Sequence, residues 1–324
     1  MAYWLFIVSL LGLWAGADVV IRGSLGIARK IGLSETFVGM TILALGTNLP
    51  EIIISITGAI EQSRGATTTG LVIGNIMGSN IGNISLILGL AGVLKIININ
   101  KREIITNGSA MIASFLAFYL FAQDGIISRT DGLFLLLGFI FYMLLLSSNE
   151  RKSFKILRLS KKNKRNRALK KSGGKSIWWF LSQLTLGLVI ISIASYYVLQ
   201  EGLLVAQLLN INPILVGIIM IGIGSSLPEL VVSISAILRG STGLSVGNLI
   251  GSNVINIFLA LGVSSLITEW RIPRVILSFD LPFLMVTSII IILFLLSRKK
   301  LERKESFLIL ALYYGYIMLK LQGF

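Results

Sequence analysis

The fold is decided by GTNLPE at residues 46–51 and GNIMGSNIGNISLILG at residues 74–89, because the chain carries a second copy of both stretches. The second copy reads GSSLPE at residues 224–229 and GNLIGSNVINIFLALG at residues 247–262. The two longer stretches are identical at ten of their sixteen positions, and most of the identical residues are Gly, Ser or Asn. Chance similarity between leucine-rich segments does not produce such matches, so the chain contains an internal repeat.

The composition is that of a membrane protein. Of the 324 residues, 55% are hydrophobic and only 13% are charged, and the mean hydropathy is +0.87, whereas a soluble domain carries about 25% charged residues. The sequence has neither His nor Cys, which excludes disulfides, Cys/His zinc sites, and thiol or histidine catalysis. We therefore expect neither an enzyme nor a bound cofactor, and any ion binding must use carboxylates, hydroxyls, amides and backbone.

Ten stretches are apolar enough to cross a bilayer, which takes about 20 residues. They lie at 3–27, 36–60, 67–94, 104–122, 132–148, 177–199, 212–238, 242–267, 276–297 and 305–319. Each copy of the repeat occupies the second and third spans of a five-span half. Because five is odd, the two copies enter the membrane from opposite sides. We predict an all-α membrane protein of ten transmembrane helices built as two inverted five-helix repeats, an arrangement that many secondary transporters share.

The basic residues concentrate in a linker at 149–175, which separates a first half at 1–148 from a second half at 176–324. The linker holds 12 of the 29 Lys and Arg residues, and the positive-inside rule places it in the cytoplasm. Both termini then lie on the external side of the cell membrane. With this topology, 23 basic residues lie in cytoplasmic segments and five lie in external ones. The net charge of +15 thus indicates topology first and contact with anionic lipid second, and nucleic acid is not an expected partner.

A proline followed by a glutamate interrupts the second and seventh spans. Pro50 and Pro228 lack the N–H that a continuous helix needs, so we predict that both helices are broken there. Glu51 and Glu229 follow directly, and neither span contains a Lys or Arg to neutralise them. Because ionisable groups inside a membrane are costly, these two carboxylates are candidate functional residues.

Neutral oxygens accompany the two carboxylates. Thr47 and Ser225 lie four residues before them, on the same helix face. The third and eighth spans add polar stripes at four-residue spacing: Asn75, Ser79 and Asn83, and Asn248, Ser252 and Asn256. Oxygen ligands without nitrogen or sulfur suit a hard cation such as calcium. The two negative charges of the carboxylates balance the charge of one divalent cation. They can also balance the charge of sodium ions or protons, and an antiporter requires such competing ions.

The motif pairs resemble the alpha repeats of the cation/calcium exchanger superfamily, and they are most similar to those of prokaryotic sodium/calcium exchangers. The resemblance implies that Glu51 and Glu229 are central ligands shared by calcium and sodium, with oxygens from Thr47 and Ser225. It implies that Ala44, Gly222, Ser79 and Ser252 form flanking sodium sites and that Asn83 and Asn256 lie beside the central site. The candidate metal-site residues are Glu51, Glu229, Thr47, Ser225, Asn48, Ser226, Ala44, Gly222, Ser79, Ser252, Asn83 and Asn256.

Three departures from the family pattern affect these implications. Asn48 stands where Ser is commoner, Ser225 replaces Thr, and Asn256 stands where several relatives, including potassium-dependent exchangers, carry Asp. The missing third acid argues against potassium cotransport and prevents the transfer of a fixed stoichiometry. The resemblance also implies alternating access by sliding of the first and sixth spans past a rigid core.

Three functions remain open. The leading hypothesis is an antiporter that exchanges calcium for sodium and works as a monomer. Proton/calcium exchange is an alternative, because buried carboxylates also bind protons. A cation channel is a third hypothesis, although channels usually arrange several subunits around a continuous pore.

Other intramembrane charges have a structural interpretation. Asp18 precedes Arg22 by four residues, a helical ion-pair spacing, and we expect it to support packing or gating. Asp280 and Glu201 lie near the ends of spans, where we expect them to face water or lipid headgroups.

Overall fold

The structure is a computed structural model that describes residues 2–98, 101–160, 176–208, 226–298 and 300–322. Eleven helices account for most of these residues: α1 (Ala2–Ile31), α2 (Glu35–Thr47), α3 (Leu49–Ser63), α4 (Thr69–Leu94), α5 (Lys101–Phe121), α6 (Arg129–Ser160), α7 (Ile177–Leu208), α8 (Leu227–Leu238), α9 (Thr242–Ile267), α10 (Ile276–Ser297) and α11 (Arg303–Leu321). Four short strands are β1 (Ile97–Asn98), β2 (Ile126–Ile127), β3 (Trp270–Arg271) and β4 (Lys300–Leu301).

The helices are those of a multi-pass membrane protein. Within the ranges just given, seven helices are long and apolar enough to cross a bilayer, and the bent pair α2–α3 makes an eighth. The apolar helix α8 is shorter and follows residues 209–225, which lie outside the described residues. The predicted all-α membrane class is confirmed, and the number of ten spans stays a prediction.

Two small antiparallel sheets join the halves of the chain. Strand β1 follows the third predicted span and pairs with β4, which lies between the ninth and tenth. Strand β3 follows the eighth span and pairs with β2, which lies between the fourth and fifth. Each half therefore supplies one strand to each sheet.

Helices α4 and α9 lie at the centre of the core. Residues 244–255 of α9 are buried without interruption, and glycines let α2 approach it closely. A Cβ added to Gly251 would lie 2.7 Å from the Met40 Cα, so this crossing depends on a residue without a side chain. The broken span is thus held directly against the centre of the bundle.

Helices α1 and α7 form a second packing unit. Their buried residues, including Val20 and Ile191, belong to an apolar cluster separate from the one around α4 and α9. At Gly187 an added Cβ would lie 2.8 Å from the Val20 amide nitrogen and 2.9 Å from the Gly16 carbonyl oxygen. The first and sixth spans are therefore in close backbone contact with each other.

The predicted boundary after residue 148 falls inside a continuous helix. Helix α6 runs on to Ser160, and the carboxylate of Glu150 accepts hydrogen bonds from the Ser34 backbone nitrogen at 2.6 Å and the Ser34 hydroxyl at 2.9 Å. The start of the linker is therefore tied to the beginning of α2. Linker residues 161–175 lie outside the described residues.

The intramembrane charges Asp18 and Asp280 have specific partners. Asp18 forms the predicted ion pair with Arg22 at 2.5 Å, and it also pairs with Arg239 at the end of α8. The prediction for Asp280 is wrong, because this residue is buried and binds both the Lys320 ammonium at 2.8 Å and the Tyr316 hydroxyl at 2.9 Å. Burial is tolerated there because the charge is paired.

Candidate functional site

The second span is broken where the sequence predicts it. Helix α2 ends at Thr47 and α3 begins at Leu49, with a bend of 46° between them. Asn48 at the break has φ −85° and ψ 6°, and Pro50 lies in the first turn of α3, where a missing N–H costs little. Ser226 has nearly the same conformation before α8, with φ −90° and ψ 12°.

The two glutamates lie near each other in the interior. Glu51 and Glu229 lie in the first turns of α3 and α8, where the helix dipoles favour negative charge. Both are fully buried and close enough to interact electrostatically. In the described part of the chain, none of their four carboxylate oxygens has a hydrogen-bond partner. Because an unpaired buried charge is strongly unfavourable, this pair is suited to a bound cation.

Hydrogen bonds between the two copies of the repeat frame the carboxylates. The side-chain nitrogen of Asn48 donates to the Ser252 hydroxyl at 2.6 Å. The Ser226 hydroxyl donates to the Ser79 hydroxyl at 3.0 Å. Asn48 and Ser226 are counterparts in the repeat, as are Ser79 and Ser252. The residue that precedes α3 and the residue that precedes α8 therefore each contact the long central helix of the other copy.

Further polar side chains extend this network. The Thr47 hydroxyl donates to the Asn248 side-chain oxygen at 3.2 Å, and the Asn248 nitrogen donates to Ser233 at 3.2 Å. Thr47 lies beside Glu229, and Ser79 lies beside Glu51. Glu229 thus has a hydroxyl from the opposite copy next to it, whereas Glu51 has one from its own copy.

The counterparts Asn83 and Asn256 differ in their bonding. The Asn256 nitrogen donates to the Ser79 hydroxyl at 3.2 Å and to the Asn80 oxygen at 3.1 Å. Asn83 is fully buried, yet neither atom of its amide has a partner among the described residues. Both asparagines lie at the start of π-helical turns, at Gly82–Ile87 and Asn256–Leu261, a feature that often marks functional positions.

A matched pair of buried asparagines is absent from the predicted set of site residues. Asn80 and Asn253 are fully buried, and the Asn253 side-chain oxygen has no partner within the described ranges. They follow Ser79 and Ser252 by one residue, so they fall off the four-residue stripe. Their duplication in both GSN motifs was the signal that could have identified them.

The remaining predicted ligands have different outcomes. Ala44 is buried, and its carbonyl oxygen accepts from the Asn48 backbone nitrogen at 3.1 Å and the Asn48 side-chain nitrogen at 2.6 Å. Gly222 and Ser225 lie outside the described residues. Within the two repeated motifs, the buried carboxylate and amide oxygens without a partner in the described ranges belong to Asn48, Glu51, Asn83, Glu229, Asn253 and Asn256.

This donor set has the chemistry of a hard-cation site. It combines two carboxylates with amide and hydroxyl oxygens, and the sequence contains no His or Cys to supply softer ligands. Fold and site together define a multi-pass membrane protein with an oxygen-lined interior site between two repeated motifs.

The chain belongs to the family described as sodium/calcium exchanger protein, which it matches over residues 1–148 and 179–322. It is 30% identical to sodium/calcium exchanger MaX1 of Methanosarcina acetivorans, over 97% of each chain. It is also 30% identical to inner membrane protein YrbG of Escherichia coli, over 88% of this chain and 86% of that one. A solved structure of the sodium-calcium exchanger NCX_Mj superposes with a TM-score of 0.80, at 30% identity and 98% coverage of both chains. The resemblance stated from the sequence is therefore confirmed.

Proposed function

We propose that this protein is a secondary antiporter that exchanges calcium for sodium across the cell membrane by alternating access. The observation that carries the proposal is the pair of fully buried carboxylates, Glu51 and Glu229, whose oxygens have no partner in the described residues. One calcium ion or two sodium ions neutralise such a pair. Because calcium and sodium compete for the same two carboxylates, release of one kind of ion allows the other to bind.

The relatives support the same function. MaX1 and NCX_Mj are both named sodium/calcium exchangers, and each aligns with nearly the whole chain. We propose for this chain the same two transported ions, with no cofactor and no enzymatic step.

The architecture that we propose is two inverted five-helix repeats, with residues 149–175 in the cytoplasm and both termini outside. The strand pairs support it, because β1 with β4 and β3 with β2 join equivalent segments of opposite halves. The hydrogen bonds of Asn48 and Ser226 support it too, because each residue bonds to the central helix of the other half.

Helices α3 and α8 differ in how they are covered, which favours alternating access. Leu227 is 7% exposed, whereas its counterpart Leu49 is 50% exposed. Helix α1 packs against α8, and its Asp18 pairs there with Arg239. With the predicted topology, this contact closes the cytoplasmic side and leaves the α3 side accessible from outside. In the opposite state, we propose, the α1–α7 unit covers α3 instead.

Calcium flux in proteoliposomes tests the function. Vesicles loaded with sodium and diluted into sodium-free buffer with labelled calcium should accumulate calcium while the pH is clamped on both sides. Vesicles without a sodium gradient should not. Calcium accumulation driven by a pH gradient in the absence of sodium would replace sodium with protons as the counter-ion. Calcium entry that requires no counter-ion would indicate a channel.

A further inference from the structure

An ion pair joins the α1–α7 unit to α8. The Asp18 carboxylate of α1 binds the Arg239 guanidinium at the end of α8. Asp18 also pairs with Arg22 at 2.5 Å, but Arg22 lies one turn further along the same helix. The pair with Arg22 therefore moves with α1, whereas the pair with Arg239 forms only where α1 packs against α8.

The end of α8 fixes the position of Arg239. This residue caps the helix, and Gly240 follows it in the left-handed conformation, with φ 84°. Val232 and Ala236 lie on the same face of α8, and both are buried in the apolar cluster of α1 and α7. The ion pair thus lies at the end of an apolar contact. Because the Asp18 side chain is only 17% exposed, solvent screens this pair less than a pair of exposed charges.

The sequence supplies no equivalent pair in the other half of the chain. The offset of 178 residues between the two central glutamates also relates Asp18 to Tyr196 and Arg239 to Glu61. In the proposed opposite state, in which the α1–α7 unit covers α3, the equivalent contact brings Tyr196 toward Glu61. Opposite charges do not meet there, and Glu61 pairs with Arg64 of its own segment at 3.1 Å. The two states therefore differ by one ion pair between helices.

We propose that Asp18 and Arg239 are gating residues that keep the ion-free transporter mainly in the state closed to the cytoplasm. This inference rests on the proposed function. An interaction that forms in only one of two states shifts the equilibrium toward that state. For a partly exposed pair we expect a shift of about tenfold, between the effects of an exposed pair and a buried one. Ions that arrive from the cytoplasm then bind the minor state, so their half-saturating concentration rises.

Thiol labelling measures the two populations, because the sequence contains no Cys and one introduced thiol is then unique. Leu227 is 7% exposed and its counterpart Leu49 is 50% exposed, so Leu227→Cys reports the state open to the cytoplasm and Leu49→Cys the state open to the outside. The full-length protein is labelled with a water-soluble thiol reagent in the absence of sodium and calcium. Removing the pair by Asp18→Asn or Arg239→Gln should change the populations from about 10:1 to about 1:1. The labelling rate should then rise about fivefold at Leu227→Cys and fall about twofold at Leu49→Cys.

Two further variants separate the ion pair from other effects. Arg22→Gln removes the pair within α1 and should leave both labelling rates at their natural values, and Arg239→Lys keeps the charge and should give rates closer to natural than Arg239→Gln. Looser packing alone would raise the rate at both thiols. Unchanged rates in Asp18→Asn and Arg239→Gln, a rise at both thiols, or the same change in Arg22→Gln would overturn the proposal. Absence of sodium-driven calcium flux in the natural chain would instead overturn the proposed function.

Discussion

Replacing either central glutamate with glutamine should abolish calcium binding while the protein still folds. Glu51→Gln and Glu229→Gln keep the size of the side chain and remove one of the two charges that face the ion. At an effective dielectric constant of about 20, unit charges about 4 Å apart interact by ~4 kcal/mol, and a divalent ion doubles this to ~8 kcal/mol. If easier dehydration of the neutral site offsets half of that, the loss of ~4 kcal/mol still weakens binding about 1,000-fold.

Thermal unfolding of the purified protein measures this loss without a transport assay. Calcium at 100 times its dissociation constant should stabilise the natural chain by about 2.7 kcal/mol. With affinity about 1,000-fold lower, the same calcium concentration stabilises either variant by less than about 0.1 kcal/mol. Sodium-driven calcium flux should be lost in parallel.

Glu61→Gln is the matched control, since Glu61 lies on the same helix α3 but is exposed and pairs with Arg64 at 3.1 Å. It should keep both the calcium-dependent stabilisation and the flux. If Glu51→Gln and Glu229→Gln keep a calcium shift close to that of the natural chain, the two carboxylates are not the ligands and the site assignment is wrong.

Three further predictions concern a polar residue beside the site, the packing of α1 against α7, and a buried ion pair. Asn256→Asp removes two donated hydrogen bonds and adds a third carboxylate, so the flux assay should show an altered preference between sodium and calcium but continued exchange; complete loss would contradict the assignment. Gly187→Ala forces α1 and α7 apart and should destabilise the protein by about 1–3 kcal/mol in thermal unfolding, whereas Gly315→Ala, with open space around it, should not. Lys320→Met leaves the buried Asp280 without its ion-pair partner and should cost about 3–5 kcal/mol; adding Asp280→Asn should restore most of it, and no recovery would refute the pairing.

Two kinds of feature could be predicted from the sequence: those set by the repeated motifs, and those set by the unfavourable free energy of a charge inside the membrane. The break at Asn48 follows from Pro50, because local backbone chemistry decides it. The burial of Glu51 and Glu229 follows from a charge inside an apolar span. Neither inference needs to know which helices are neighbours.

Features that depend on neighbouring helices could not be predicted. Arg239 lies far from Asp18 along the chain, and only the packing of α1 against α8 brings them together. Asp280 was expected at a water-facing position, but Lys320 of α11 covers it. Asn80 was not predicted because polar residues at four-residue spacing mark only one face of a helix. Other helices surround the central helix α4, so residues on its other faces are also buried.

The charge of the empty site explains why the two ion movements are coupled. Two buried carboxylates without partners cost several kcal/mol per charge, and a penalty of ~4 kcal/mol lowers the population of an empty, occluded site about 1,000-fold. Either ion removes this penalty, so the site of Glu51 and Glu229 switches its access from one side of the membrane to the other mainly when an ion lies between the two carboxylates. Calcium therefore leaves one side only when a counter-ion makes the return possible, and this exchange rule follows from the same two buried charges that bind the ion.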